Sequence, residues 1–425
     1  MDRLQRILKW SEQYTKTDMT YLVKGSFWLL TSQAINFVLA LVLLWVFANL
    51  VSKEVYGEYR FLLTVVTVLA LTSLSGTAVA LTHSVALGKR ATFYPLLHAR
   101  FRFGLIGSLG ALIGAGYYLW QGNTNLAQAF TLIALFVPFI ESYTLYAAYL
   151  NGVKDFRLMS ILHTLQRITT VGALVTAVIL TQSVFWILAT YLVGMTLSFK
   201  AAQAWTLRIH PLNQEHDETA LPYAKHLSLM SIMRSGAQHL DKVALWYLAG
   251  PVVLAQYVVA IAMPNELVSA FSQISRLALP KMSARNKTEL QQSMLRKLLI
   301  YFIAMLPVVA IYVFFAPFVF ATFLPQYVDS VFYSQLATIL IIAAPLGLLT
   351  QYFFATKHTT ALYIMNALEP VVLIALYAIL IPLFGIVGVI TASFIRYLFV
   401  FASLLFFFFR DSAQQVDLLT IDKSQ

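Results

Sequence analysis

A chain of 425 residues that is 60% hydrophobic and only 11% charged lies outside the soluble range, where about a quarter of residues carry charge, so a set of soluble domains is excluded. The formal net charge of +11 would suggest nucleic acid in a soluble protein, but in a lipid-embedded chain it marks cytoplasmic loops, and no nucleic-acid partner is expected. The absence of cysteine excludes disulfides, thiolate metal sites and a cysteine nucleophile.

Residues 1–24 are basic and polar and show no short apolar core followed by a small-residue cleavage site. Leu4, Ile7 and Leu8 recur at helical spacing beside Arg3, Arg6 and Lys9, which fits an interfacial helix or a solvated cytoplasmic tail. Apolar runs of about 20 residues, enough to cross a core about 30 Å thick, then follow at 26–49, 60–83, 101–120, 126–149, 160–181 and 183–205. The polar stretch RIHPLNQEHDETALPYAKH interrupts them, and six more runs follow at 227–250, 252–279, 298–320, 332–355, 360–382 and 385–409. The predicted fold is an all-α integral membrane protein of about twelve transmembrane helices. It comprises a six-helix bundle over 25–206, a connecting loop over 207–225, a second bundle over 226–410 and a cytoplasmic tail over 411–425.

Charge gives an independent test. With the N-terminus inside, 23 of the 29 lysines and arginines fall in cytoplasmic segments, while the opposite side holds only Lys53 and Arg60. A wrong helix number would scramble so lopsided a partition, so both termini are placed in the cytoplasm. The halves also look like a parallel repeat: a shift of 201 residues sets Gln33 on Arg234, Leu39 on Leu240, Val42 on Val243 and Trp45 on Trp246.

Polar residues inside these runs are costly, which makes each a pointer to function. The first run offers Gln33 and Asn36; the fourth offers Glu141 close to Pro138; the fifth places His163, Arg167 and Thr170 on one face. On the seventh, Arg234, Gln238 and Asp241 lie at i, i+4 and i+7 with Lys242 beside them. Three readings stay open there: a cationic wall facing an anion with Asp241 tempering Lys242, side chains that snorkel to the nearer membrane face, or structural pairing of Asp241 and Lys242. The eighth run carries Asn265 and Ser269 on one stripe with Glu266 beside it, the eleventh Glu369 next to Pro370, and the twelfth Arg396 near mid-depth. A carboxylate in a low-dielectric cavity can exchange protons, so Asp241, Glu266, Glu141 and Glu369 are the candidates for ion coupling. No GxxxxGK[ST], HExxH or GxSxG pattern is present; no cofactor, metal or catalytic residue is expected.

The segments KGSFWLLTSQAINFVLALVLLWVFANLVSKEVYGEYRF, HLDKVALWYLAGPVVLAQYVVAIAMPNEL, LALPKMS and FLPQYVDS, in this order and spacing, resemble the Wzx-type polysaccharide flippases of the multidrug/oligosaccharidyl-lipid/polysaccharide (MOP) exporter superfamily. The resemblance implies two six-helix bundles around a central cavity that opens alternately to either face. It also implies the substrate, an undecaprenyl-diphosphate-linked oligosaccharide turned to the outer leaflet of a bacterial or archaeal cell membrane. H+ or Na+ coupling and contact with polysaccharide polymerase machinery come with the same reading. By this resemblance Gln33, Asn36, Arg234, Asp241 and Lys242 line the cavity, where cations receive the diphosphate or acidic sugars. The alternatives are a drug/cation antiporter of the same superfamily and a membrane-embedded glycan-assembly enzyme or scaffold.

Overall fold

The computed structural model describes the backbone of residues 19–283, 287–343, 345–356 and 359–422. Side chains are described over 31–233, 235–269, 293–341, 345–353 and 367–410, with 28, 271 and 356 besides. Every regular element among these residues is helical. In chain order they are α1 (Met19–Leu50), α2 (Lys53–Ala70), α3 (Thr77–Ala86), α4 (Phe93–Trp120), α5 (Thr124–Tyr143), α6 (Leu145–Gly152) and α7 (Phe156–Leu180). They continue with α8 (Val184–Ile209), α9 (Ala220–Ala237), α10 (Leu240–Ser283), α11 (Lys287–Phe323), α12 (Val331–Ala337), α13 (Leu346–Ala355) and α14 (Thr359–Asp422).

Among the described residues, ten helical stretches are long and apolar enough to cross a membrane. Two of them, Ala220–Ser269 and Ala367–Arg410, run for 50 and 44 residues, about twice what one crossing needs. Each breaks at a glycine with left-handed φ: Gly250 (φ 83°) in α10 and Gly385 (φ 53°) in α14, a region that only glycine enters freely. A straight helix would separate Asp241 from Tyr257 by about 24 Å. Instead the Tyr257 hydroxyl lies 2.7 Å from Asp241 Oδ2. Tyr377 and Ser393, also sixteen residues apart, bring their hydroxyls to 3.3 Å. Both long stretches are therefore hairpins of two crossings, and twelve passes result, in agreement with the hydrophobic runs. Several passes are themselves interrupted. The second turns through a 3-10 segment at Leu71–Ser73 into left-handed Leu74, and the tenth is α12, a 3-10 turn at Thr338–Ala343 and α13.

Outward-facing apolar side chains are the rule: Ile113, Leu180, Phe314 and Leu383 are each more than 60% exposed. In water such a surface would associate; in a bilayer it is already solvated by lipid. This is a multi-pass membrane protein.

The chain forms two compact units: Met1–Leu50 with Val65–Ile232, and Val51–Thr64 with Met233–Gln425. The first is cemented by Leu81, Val85, Phe93, Leu96, Leu145 and Tyr149, on which Ala220 and Ala224 of α9 pack. In the second, Met294, Leu298, Leu349, Tyr352, Phe353, Leu404 and Phe408 form a core shared by α11, α13 and α14. The start of α2 belongs to this second unit, where Phe61 stacks on Trp246 at 4.3 Å and Gly57 lies against the backbone of Pro251 so closely that a Cβ would collide with its carbonyl.

The polar stretch after α8 is strapped to the first unit. The Asn213 carbonyl oxygen accepts from the amides of Arg90 and Ala91, and its amide donates to Gly88 O. His210 Nε2 lies 3.0 Å from Asp155 Oδ2. Asp217 accepts from the Thr219 and Ser84 hydroxyls and lies 3.5 Å from Lys89 Nζ. The Thr219 hydroxyl above all, then Ser84, the Thr219 amide and Lys89, hold the Asp217 carboxyl at about 2, below its usual 3.8.

Two outcomes follow from this packing. Gly57→Ala is expected to destabilise the protein by about 1–3 kcal/mol, the usual range for forced overpacking, seen as a lowered unfolding midpoint in detergent. Because the folded-state value of Asp217 is depressed, its contribution is complete above the unfolded value and fades as pH falls from about 3.8 toward about 2. Asp217→Asn should therefore lower the midpoint at pH 7, with the gap to the parent closing as the medium is acidified through that window.

Candidate functional site

Hydrocarbon makes an unpaired charge expensive, so the ionisable residues at membrane depth are best sorted by what neutralises them. In the second unit Asp241 opens α10 and is 4% exposed. It receives Lys242 Nζ at 3.0 Å on Oδ2 and 3.2 Å on Oδ1, the Lys242 amide at 2.8 Å, and the Tyr257 hydroxyl from across the Gly250 turn. Farther along, Glu369 and Arg396 pair across the α14 hairpin, both close to nine-tenths buried. The Arg396 guanidinium also stacks on Tyr397 at 3.9 Å, while its Nε is buried without a hydrogen-bond partner. Tyr377 lies within electrostatic reach of both Asp241 and Arg396. These residues form one buried acid–base–tyrosine cluster in which each cation has a carboxylate.

In the first unit Glu141 is held by Arg100 Nη2 at 2.6 Å, with Arg100 6% exposed. A second polar seam joins α1 to α7. Ser32 and Thr164 share a 2.8 Å hydroxyl contact, and Asn36 Nδ2 donates to Ser32 Oγ at 3.3 Å and meets His163 Nδ1 at 3.2 Å. Asn36 Oδ1 is buried without a partner. One turn beyond His163, Arg167 is half-buried and has no carboxylate within ion-pair distance among the described residues.

The expected cations of the wall differ in what stands beside them. Lys242 and Arg396 stand in neutral pairs, because an acid within the same hairpin costs less than a bare charge in lipid. Arg167 is, of the expected cations with described side chains, the one left uncompensated. Arg234 is on α9, but its side chain lies outside the described residues. The expected stripe through Arg234, Gln238 and Asp241 is broken: α9 ends at Ala237, Gln238 and His239 form a turn, and the His239 amide bonds back to Gly236 O. The poor helix propensity of Gly236 marks the place. Gln33, Gln238 and Asn265 are exposed, Ser269 and Glu266 half-buried, and none of the five makes a side-chain hydrogen bond among the described residues. Of the four acids expected to couple ions, Asp241, Glu141 and Glu369 are engaged and Glu266 is not. Sequence reasoning missed Arg100 as the partner of Glu141, and Tyr257, Tyr377 and Tyr397 as members of the cluster. The signal for Tyr257 was the Gly250–Pro251 turn, which sets residues before and after it at similar depth.

Pairing predicts unequal responses. Glu369→Gln leaves Arg396 buried without its carboxylate and should cost about 3–5 kcal/mol, whereas Glu266→Gln removes an unpartnered group and should stay within about 0.5 kcal/mol. Unfolding midpoints of the two variants, measured side by side, check this.

Residues 22–274, more than half of the chain, match the model of a family described as polysaccharide biosynthesis protein. No curated protein matches. Among solved structures, the chain is similar to the lipid II flippase MurJ in an inward closed conformation (TM-score 0.64, 15% identity, 90% of this chain and 87% of that one). It is similar also to an inward-facing multidrug resistance MATE family transporter of the MOP superfamily (TM-score 0.62, 15% identity, covering 88% and 94%). A third is a MOP superfamily transporter from Pyrococcus furiosus (TM-score 0.59, 15% identity, covering 93% and 96%). At this identity the likeness is one of fold.

Proposed function

The chain belongs to the polysaccharide biosynthesis protein family, and from that premise we propose that it is a flippase for undecaprenyl-diphosphate-linked oligosaccharide units. It carries them across the cell membrane to the outer leaflet, where polysaccharide polymerase machinery takes them up. Both termini lie in the cytoplasm, as the 23-to-2 partition of basic residues favours. The observation that carries the substrate class is Arg167. A cation kept at membrane depth without a carboxylate among the described residues is stabilised by an anion that comes and goes, and a diphosphate supplies that charge. MurJ, which shares the fold, is by name a flippase of a lipid-linked substrate.

Alternating access in this reading draws on an H+ or Na+ gradient. Glu266, a half-buried carboxylate with no partner among the described residues, is the acid best placed to take up a cation. Asp241, Glu369 and Glu141 are already neutralised by Lys242, Arg396 and Arg100. Those same neutral pairs favour a second reading, a cation or drug antiporter, because they remove positive charge from the second unit.

Deletion of the gene separates the two. The flippase reading expects complete lipid-linked repeat units to accumulate and surface glycan to disappear, with Arg167→Ala reproducing the loss at normal membrane levels. Unchanged surface glycan with increased drug sensitivity would overturn it in favour of the antiporter.

A further inference from the structure

On α7 two faces are exposed. Ile161, Leu165 and Ile168 form an apolar one; His163 stands exposed with half-buried Arg167 next to it. At about 100° per residue, His163 points roughly 140–160° away from those three side chains. The apolar face suits lipid, so the imidazole is on the polar side, where it meets α1. There the hydrogen bonds have a definite sense. Asn36 Nδ2 can only donate, so His163 Nδ1, 3.2 Å away, accepts and the ring proton sits on Nε2. The same amide nitrogen donates to Ser32 Oγ, so the Ser32 hydroxyl proton is not used on Asn36 and is available to Thr164, 2.8 Å away. The price of this arrangement is Asn36 Oδ1, buried and without a partner.

We propose that His163 and Asn36 form a proton-binding switch on the α1–α7 seam, and that Arg167 ties it to the anion. The step balances simply: a hydronium ion gives up a proton to the Nδ1 lone pair, its O–H bond breaks to leave water, an N–H bond forms and the ring gains the positive charge. Two donors then face each other, which breaks the Asn36–His163 bond. Rotation of the Asn36 amide by half a turn restores the seam with every bond reversed. Oδ1 now accepts from His163 Nδ1–H and from Ser32, and Thr164 donates to Ser32. The orphan acceptor of the neutral state becomes the acceptor of the protonated one. Arg167 stands one helical turn from the ring, at i+4; among the described residues α1 presents neutral Ser32 and Asn36 to it, and no ion pair from α6 or α8 reaches it. Its positive charge resists the added proton, and a bound diphosphate cancels that resistance. Proton and anion therefore bind cooperatively, each raising the affinity of the other by the same factor. The linkage to an anion rests on the flippase reading; the switch does not.

Two measurements on the full-length protein in lipid nanodiscs test this. The first is NMR of 15N-labelled histidine and asparagine between pH 8 and pH 5, where an imidazole titrates. The Nε2–H tautomer is expected at high pH, and the Asn36 side-chain amide signals should move in step with His163 Nδ1. In Asn36→Leu the tautomer preference should be lost. An Asn36 amide that stays still while His163 titrates overturns the switch. The second is calorimetric binding of farnesyl diphosphate in buffers of different ionisation enthalpy. Affinity should rise by up to about tenfold per pH unit on acidification, with uptake of up to one proton per ligand, and His163→Gln should abolish both while retaining the affinity seen at pH 8. Binding that is tight but independent of pH overturns the linkage and leaves the flippase reading standing. No binding at any pH counts against the anion at Arg167, and the switch is then decided by the NMR result.

Discussion

Ionised groups cannot be left bare in hydrocarbon, and that constraint organises this molecule. Three cations inside apolar passes or at their ends, Arg100, Lys242 and Arg396, are each matched by a carboxylate: Glu141, Asp241 and Glu369. Two of the three pairs are supported further, Asp241 by the Tyr257 hydroxyl and Arg396 by the face of Tyr397. Breaking such a pair costs more than forming it returns, so these groups fix which helices belong together. They contribute specificity of assembly more than net stability.

Against that background the groups without partners stand out. Arg167 and Glu266 have no counter-charge among the described residues, and Asn36 holds a buried oxygen that donates and accepts nothing. With Arg100, Lys242 and Arg396 paired to carboxylates, the exceptions are places open to a mobile ion or a ligand. That asymmetry, more than the number of cations, is what supports the proposed reading of an anionic lipid carrier as substrate.

The hydrophobic runs and the lopsided distribution of lysine and arginine were enough to read twelve passes, because length and charge report directly on crossing a bilayer. They were not enough to read the site. A linear sequence gives the depth of Arg396 and of Glu369 but not the direction each faces, so a paired arginine and a bare one look alike. Among the four cations singled out in the sequence, Lys242 and Arg396 have a carboxylate beside them and Arg167 has none among the described residues, with Arg234 lying outside the described side chains. The helical stripe through Gln238 failed for a local reason: helical spacing presumes an unbroken helix, and the turn after Ala237 ends it.

The two glycine hairpins bear on how the protein is made. Asp241, Lys242 and Tyr257 fall within 16 residues of one another, and Glu369 and Arg396 within 27. Each set is complete as soon as its own hairpin has left the ribosome. Lys242 and Arg396 can therefore enter the bilayer already neutralised, a helix pair at a time, without waiting for partners from distant parts of the chain. Gly250 and Gly385, by letting the helices double back, make membrane insertion a local event.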